Sequence, residues 1–273
     1  MTTAVVPALS ELSVTEFLAL ARLGFLPRGL VIGSCVYSAG SQYAWSVCTA
    51  EVVNLSESMR TARHLAIGRM RAQAVQLGAE GVVDVRLQVE HHLWRGGRQV
   101  AKFVAMGTAI AFDPGHAPAT LRGAPSLRLA NGSPFTSDLS GPDFISLLRA
   151  GYRPVTVAMG TCVYGLDPRE IRRHRGQSAE LSAYTQAFFD ARETAMARLQ
   201  HDLFAEWPPG HPDAPIGIVG MTVSESAYGG QMLQGPPIVE FTAVGTAAAR
   251  LAPGDPRRSN EPPKPRVVVP LDR

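Results

Sequence analysis

Cysteine and histidine are the residues of this sequence whose chemistry could bind a soft metal ion. The cysteines are Cys35, Cys48 and Cys162, and seven histidines are spread along the chain. A structural zinc site usually takes four thiolate or imidazole ligands, with two to five other residues between the members of a pair. No two cysteines and no two histidines have that spacing, and the adjacent pair His91 and His92 would point to opposite faces of a strand. The sequence therefore shows no complete metal site.

Cys35 and Cys162 nevertheless occupy equivalent positions in two similar segments. Residues 16–37 align with residues 143–164 at a constant offset of 127, and nine of the 22 aligned residues are identical. A second pair of segments follows, FVAMGTAI at 103–110 and FTAVGTAA at 241–248. These matches predict a tandem duplication. If the two copies stack about a pseudo-twofold axis, the two sulfur atoms could approach each other and bind a metal; alternatively, each cysteine is a small apolar residue that packs inside its own sheet.

Two arginine-rich stretches are the other candidates for binding. One follows the outer side of the first long helix (Arg60, Arg63, His64, Arg69 and Arg71), and the other is a loop at 167–177. No aromatic residues alternate with these arginines to stack on bases, so we interpret them as solvated charge and do not expect nucleic acid as a partner. No nucleophile elbow, Walker loop or dinucleotide-binding motif is present, so the sequence predicts no catalytic residues.

The composition is that of a folded globular protein. The chain has 273 residues, of which 45% are hydrophobic and 18% charged, and its formal net charge is +3. No apolar run approaches the roughly 20 residues of a membrane-spanning helix, and the N-terminus does not resemble a secretion signal. Three widely spaced cysteines favour a reducing compartment, so we expect the cytoplasm.

The same elements are predicted twice, in an α+β fold. Each copy begins with a short helix that has a serine cap, Ser13 with Glu16 or Ser140 with Asp143. A strand follows, then a long helix, then a hairpin of two strands, which together predict a small, mostly antiparallel sheet with the long helix packed across it. The predicted boundaries are a first domain at 1–112, a linker at 113–139, a second domain at 140–250 and a proline-rich, disordered tail at 251–273.

Four glycines occupy matching strand positions: Gly33 and Gly160 in the first strand of each copy, and Gly107 and Gly245 in the last. A glycine inside a strand usually marks the close approach of another backbone. That backbone is either the helix of the same domain or a neighbouring repeat or subunit. The pattern alone does not separate these two interpretations.

The segment LGAEGVVDVRL (77–87), followed by AMGTAIAF (105–112), resembles the YbjQ-type family of heavy-metal-binding domains. In that family a long helix runs into a Gly-Ala-x-x-Val-Val segment, and the last strand carries Gly-Thr-Ala. The second copy keeps the Gly-Thr-Ala of residues 245–247 but has WPPGHPDAPIG (207–217) at the turn. The resemblance implies metal binding by the family's name, and an assembly into rings that are pentameric in its small members.

We expect a non-enzymatic, ring-forming homo-oligomer that acts as a scaffold or binding platform and needs no cofactor. The alternative is a soft-metal protein that binds zinc, copper or cadmium through Cys35 and Cys162. The terminal segment RVVVPLDR (266–273) is apolar enough to bind a protein partner by adding a strand to its sheet, although such a terminus is more often disordered.

Overall fold

The computed structural model describes residues 8–38, 49–94, 98–173, 178–230 and 235–259. The helices are α1 (Val14–Ala21), α2 (Val53–Gln76), α3 (Gly141–Arg149), α4 (Pro168–Arg173) and α5 (Ser182–Glu206). The strands are β1 (Phe25–Ser38), β2 (Ala50–Glu51), β3 (Gly81–Trp94), β4 (Arg98–Phe112), β5 (Phe135–Thr136), β6 (Tyr152–Gly165), β7 (Gly217–Gly230) and β8 (Gly235–Arg250). Among the described helices, none combines the length and the apolar character needed to cross a bilayer.

The two short helices begin as their sequences predict. Ser13 accepts a hydrogen bond from the backbone N–H of Glu16, and the Glu16 carboxylate accepts one from the backbone N–H of Ser13 at 2.8 Å. Ser140 caps α3 in the same way through the N–H of Asp143. Both caps provide hydrogen-bond acceptors for backbone N–H groups that would otherwise be unpaired at the start of the helix.

The strands form two four-stranded sheets. Sheet 1 has the order β1-β4-β3-β5, and sheet 2 has the order β2-β6-β8-β7. All strand pairs are antiparallel except β3 with β5. The prediction of an α+β fold with a long helix on each small, mostly antiparallel sheet is confirmed.

The elements stack in the order α5, sheet 2, α2, sheet 1. Alternation along β6 places Ala158 and Cys162 in a core cluster with α5, whereas Val157, Met159 and Val163 face the other way and join the core of α2. Helix α2 therefore touches both sheets through one buried face: the middle of this face packs on sheet 1, and a flank that includes Ser56, Arg63 and Ile67 packs on sheet 2. On the face of sheet 1 that points away from α2, one end packs against α1 and α3, and the part around Ile32 and Val36 is exposed.

The segment predicted as a linker contributes to both the sheet and the core. Strand β5 extends sheet 1, and Leu127, Leu129 and Phe135 are buried. Strand β2, from the predicted first domain, pairs with β6 in sheet 2. The first and second halves thus exchange elements, and the boundaries at 112 and 140 stay a prediction.

The prediction of a disordered tail from residue 251 needs a correction for residues 251–259. Leu251, Asp255 and Arg257 are buried there. The Arg257 guanidinium donates to both Asp255 oxygens and to the carbonyl oxygen of Pro125, and this buried ion pair fixes the segment on the core. Residues 260–273, including the predicted partner-binding segment, lie outside the described residues.

Candidate functional site

The structure places the two candidate metal ligands in different core clusters. Cys35 is buried under α2 with Met59 and Phe103, and Cys162 is buried under α5 with Ala195. Both thiols are free. The stacking of the layers thus separates the two sulfurs, because they lie on different sheets beneath different helices. Cys48 falls outside the described residues.

The surroundings of Cys162 oppose the thiolate that a metal would need. Burial raises the pKa of Cys162 to about 12, and the nearby Glu51 carboxylate adds to the effect. Within the described ranges, no three histidine, cysteine, aspartate or glutamate side chains come together as a metal site would require. The assignment of Cys35 and Cys162 as metal ligands stays a prediction.

The four repeated glycines lie where neighbouring atoms of the same chain come close. A Cβ at Gly33 would overlap the carbonyl oxygen of Ala66 in α2, and one at Gly160 would overlap that of Ala195 in α5. A Cβ at Gly107 would lie 2.8 Å from Val82 Cγ1. At Gly245 it would lie 2.8 Å from Ile218 Cγ2. Close packing within the chain accounts for these contacts.

The contact between α2 and sheet 2, here called the internal joint, is fastened by a buried ion pair. The Arg63 guanidinium donates to Glu240, Thr161 and Thr242, and all four residues are buried. Its guanidinium carbon also lies 5.2 Å from the centre of the Phe103 ring. Charge-assisted bonds of this kind fix the orientation of α2 on the sheet.

The interpretation of Arg63 as solvated charge is therefore wrong. Arg63 lies on a flank of the buried face of α2, one turn from Met59 and Ala66, and not on the outer side of the helix as predicted. The space beyond that flank is occupied by sheet 2, whose Glu240 neutralises the charge. An acidic residue inside the pattern of a strand, such as Glu240 in β8, was the available signal for a buried cation.

The other arginines of α2 also make contacts rather than pointing freely into solvent. Arg60 forms a two-pronged ion pair with Asp202 of α5, at 2.7 and 2.8 Å. Burial alone would raise the pKa of Asp202, yet the Arg60 contact holds it below its usual range. Arg71 donates to Thr156 at 3.0 Å, and Arg69 donates to the backbone carbonyl of Ser34.

A cavity of about 180 Å³ with charged and apolar walls opens at one end of the internal joint. It is lined by charged groups of both long helices and by the start of β6, including His64, Arg71, Asp202, Glu206 and Thr156. Burial lowers the pKa of His64 and raises that of Glu206, so both side chains favour their neutral forms more than they would in water. The cavity borders the contact between the two halves of the chain.

An apolar groove runs along the outer flank of α5 beside β7, and we call it the α5–β7 groove. It is lined by residues of the helix and of the last hairpin: Arg192, Glu193, Met196, Ala197, Gln200, Met221, Val223 and Phe241. Met221 and Val223 are 41% and 51% exposed. Among the described strands β7 pairs only with β8, so it forms an edge of sheet 2.

A second apolar surface lies at the opposite end of the stack. The outer face of sheet 1 carries alternate residues of β1 and β4: Ile32, Ser34, Val36, Lys102, Val104 and Met106. Ile32 is 41% exposed and Val36 58%. Side chains of this type are usually covered when they stand next to one another on a sheet face. The two ends of the stack thus present two different uncovered apolar surfaces.

The fold defines a class of protein in which a long helix packs on an antiparallel sheet and the last strand carries Gly-Thr-Ala. Sequence comparison with known proteins supports this class. The family model described as "Putative heavy-metal-binding" (YbjQ_1) matches residues 27–113. The "Encapsulin nanocompartment protein Rv1762c" of Mycobacterium tuberculosis is 35% identical over 268 residues, which covers 96% of this chain and 91% of that relative. The "UPF0145 protein CPE0882" of Clostridium perfringens is 36% identical over 91 residues, 32% of this chain and 82% of that relative. The chain belongs to the YbjQ-type family.

Proposed function

We propose that this chain is a structural subunit that assembles with copies of itself into an oligomeric scaffold. The observation that carries the proposal is the pair of apolar surfaces at the two ends of the stack, the outer face of sheet 1 and the α5–β7 groove. Surfaces of this kind mark interaction sites on otherwise polar proteins. The name of the mycobacterial relative, which covers nearly the whole chain, supports an assembly role in or with a protein nanocompartment.

The proposal includes no catalytic activity. In support, the charged groups at the internal joint are engaged in structural bonds, Arg63 with Glu240 and Arg60 with Asp202. Groups held in such pairs are poorly placed to act as acids, bases or nucleophiles. The further parts of the proposal are a cytoplasmic location, an origin by tandem duplication and a closed ring, pentameric by resemblance to the family.

Native mass spectrometry and light scattering on the purified full chain test this function. We expect one predominant oligomer at micromolar concentration and a closed particle in electron micrographs. A chain that remains monomeric over that range would refute the scaffold role.

Soft-metal binding is the second candidate, because the matched family model carries that description. In this proposal Cys35 and Cys162 act as separate sites or with further ligands, since they lie in different core clusters. The same native spectra, recorded with zinc, copper(I) or cadmium, give the bound metal per chain. Uptake that disappears in a Cys35→Ser/Cys162→Ser variant, with assembly intact, would favour metal binding; uptake of no metal would end it.

A protein partner for segment 266–273 is a separate proposal. An added strand pairs with the free edge of a sheet, and β7 forms such an edge of sheet 2 among the described strands. Removing residues 260–273 and comparing the oligomers formed tests whether the partner is another copy of this chain.

A further inference from the structure

The internal joint shows how an outer sheet face is covered in this fold. Three apolar residues of sheet 2, Val157, Met159 and Val163, lie in one core cluster with Ile67 of α2. They alternate with residues that face α5, so this face of sheet 2 would be its outer one without α2. The joint is therefore a helix of one unit laid across the outer face of the next sheet.

Helix α5 repeats the way in which α2 lies on its own sheet. The carbonyl oxygen of Ala66 crosses over Gly33, and that of Ala195 crosses over Gly160. Arg69 donates to the carbonyl oxygen of Ser34, and Arg198 donates to that of Thr161. Both correspondences place a residue of α5 at its α2 number plus 129, since 195 minus 66 and 198 minus 69 are both 129.

That offset assigns a role to the α5–β7 groove. On α2, the residues that border the internal joint are His64, Ile67, Gly68 and Arg71. Adding 129 gives Glu193, Met196, Ala197 and Gln200, and these four residues line the groove. The side of α2 that covers sheet 2 within the chain thus has an uncovered counterpart on α5.

We propose that the outer face of sheet 1 of a second copy occupies this groove, so that copies join head to tail. The proposal rests on the proposed assembly function and names its interface. The sequence alignment of β1 with β6, at an offset of 127, puts Ile32 in the place of Met159 and Val36 in the place of Val163. These two apolar side chains, exposed in a single copy, would pack against Met196, Met221 and Val223 of the next.

The charges at the two joints differ, which makes the proposed contact specific. The register with Phe103 and Phe241 puts Lys102 in the place of Glu240. The offset of 129 puts Arg192 in the place of Arg63, and the Arg192 guanidinium lies over the ring of Phe189. The salt bridge of the proposed contact is therefore between Lys102 and the neighbouring Glu193, the counterpart of His64. Lys102 also lies 3.2 Å from Glu90 within its own copy. Complementary charge at a rim sets orientation more than affinity.

Each joint of this kind uses two different surfaces, which makes the interface heterologous. Such contacts produce closed rings or open filaments, whereas a contact between two identical faces stops at a dimer. The orientation is thus testable without knowing the number of subunits.

Glutamate placed on either surface tests the proposal. Val36→Glu blocks the sheet face, and Val223→Glu blocks the groove; the control is Val75→Glu on α2, since Val75 is 51% exposed and lies on neither surface. The three side chains are similarly exposed, so unfolding temperatures should agree among the variants. At the micromolar concentration at which the unaltered chain is oligomeric, we expect Val36→Glu and Val223→Glu to be monomers and Val75→Glu to remain oligomeric.

Mixing the two blocked variants tests the head-to-tail orientation. The Val36→Glu chain keeps its groove and the Val223→Glu chain keeps its sheet face, so an equimolar mixture at high micromolar concentration should give a 1:1 dimer and nothing larger. A mixture that stays monomeric would overturn the orientation, and so would a Val223→Glu chain that dimerises on its own. If the unaltered chain assembles and both blocked variants assemble like the control, the interface is wrong while the scaffold function stands. If the unaltered chain is itself monomeric, both the proposed interface and the scaffold function are wrong.

Discussion

At Gly33 and Gly160 the backbone of a helix passes so close to a strand that no side chain fits between them. The strand touches the backbone of the helix itself, so neither element can shift without disturbing the core. The constraint is local and can be measured by adding a single methyl group.

We expect Gly160→Ala to destabilise the protein by about 1–3 kcal/mol or more, because its Cβ would overlap the carbonyl oxygen of Ala195. Gly68→Ala is the matched control, since its Cβ would meet no atom within 4 Å and alanine favours the helix by up to about 1 kcal/mol. Urea unfolding gives both values. Equal effects of the two substitutions would contradict the close approach.

Arg63 and Glu240 form a buried ion pair in which each charge neutralises the other. Arg63→Met removes the guanidinium and leaves a buried carboxylate without it, so we expect a loss of about 3–5 kcal/mol. Adding Glu240→Leu should recover much of that loss, because two apolar side chains replace the two charges. Arg60→Ala, which breaks a more exposed ion pair, should cost at most about 1 kcal/mol.

The raised pKa of Cys162 predicts that the protein becomes less stable as the pH rises in the alkaline range. The thiol ionises at its usual value of 9.0 in the unfolded chain and at about 12 in the folded one. Between these values the unfolded state has released the proton and the folded state has not, so the free energy of unfolding falls as pH rises, by up to about 1.4 kcal/mol per pH unit. Cys162→Ser should show a shallower fall between pH 9 and 12 than the unaltered chain. Identical slopes would contradict the raised pKa.

At the scale of elements, α2 is unusual because its one buried face touches both sheets. The middle of this face is an apolar stripe with residues such as Met59, Ala66 and Met70, and it lies on sheet 1. A flank of the same face carries Ser56 and Arg63, which look like surface residues in a sequence and are buried against sheet 2. Their polar groups are satisfied by partners about 100 or more residues away, at Val163, Thr161 and Glu240.

Ser56 offers a test of that second contact. Its hydroxyl accepts a hydrogen bond from the backbone N–H of Val163 at 2.9 Å, at the end of the pairing between β2 and β6. Ser56→Ala leaves this buried N–H without its acceptor, and we expect a cost of about 1–3 kcal/mol in urea unfolding. The control is Ser58→Ala, whose exposed hydroxyl donates to the carbonyl oxygen of Asn54, and it should change stability by less than about 0.5 kcal/mol.

The sequence predicts the elements of each half better than their arrangement. Alternation and helical periodicity are properties of single elements, so the long helices, the final hairpins and the serine caps could be predicted from them. The joining of β2 to sheet 2 could not, because a strand of two residues carries almost no pattern. The burial of Arg63 could not either, since it depends on a sheet from the other half of the chain.

At the scale of the whole molecule, α2 closes the core of sheet 1 and also covers sheet 2, so the two halves should not unfold separately. We expect a single calorimetric transition whose calorimetric and van't Hoff enthalpies agree, measured on the monomeric Val36→Glu variant to exclude dissociation. Two resolved transitions would show that the internal joint contributes little stability.

Because α2 touches both sheets, it also determines where the chain can be cut. A backbone break in the exposed segment around Gly123 would leave α2 on one fragment and the sheet that it covers on the other. Each fragment would then hold half of a shared surface. Reporter groups attached to the two pieces would come together only on reassociation, which makes this chain a scaffold for a split sensor.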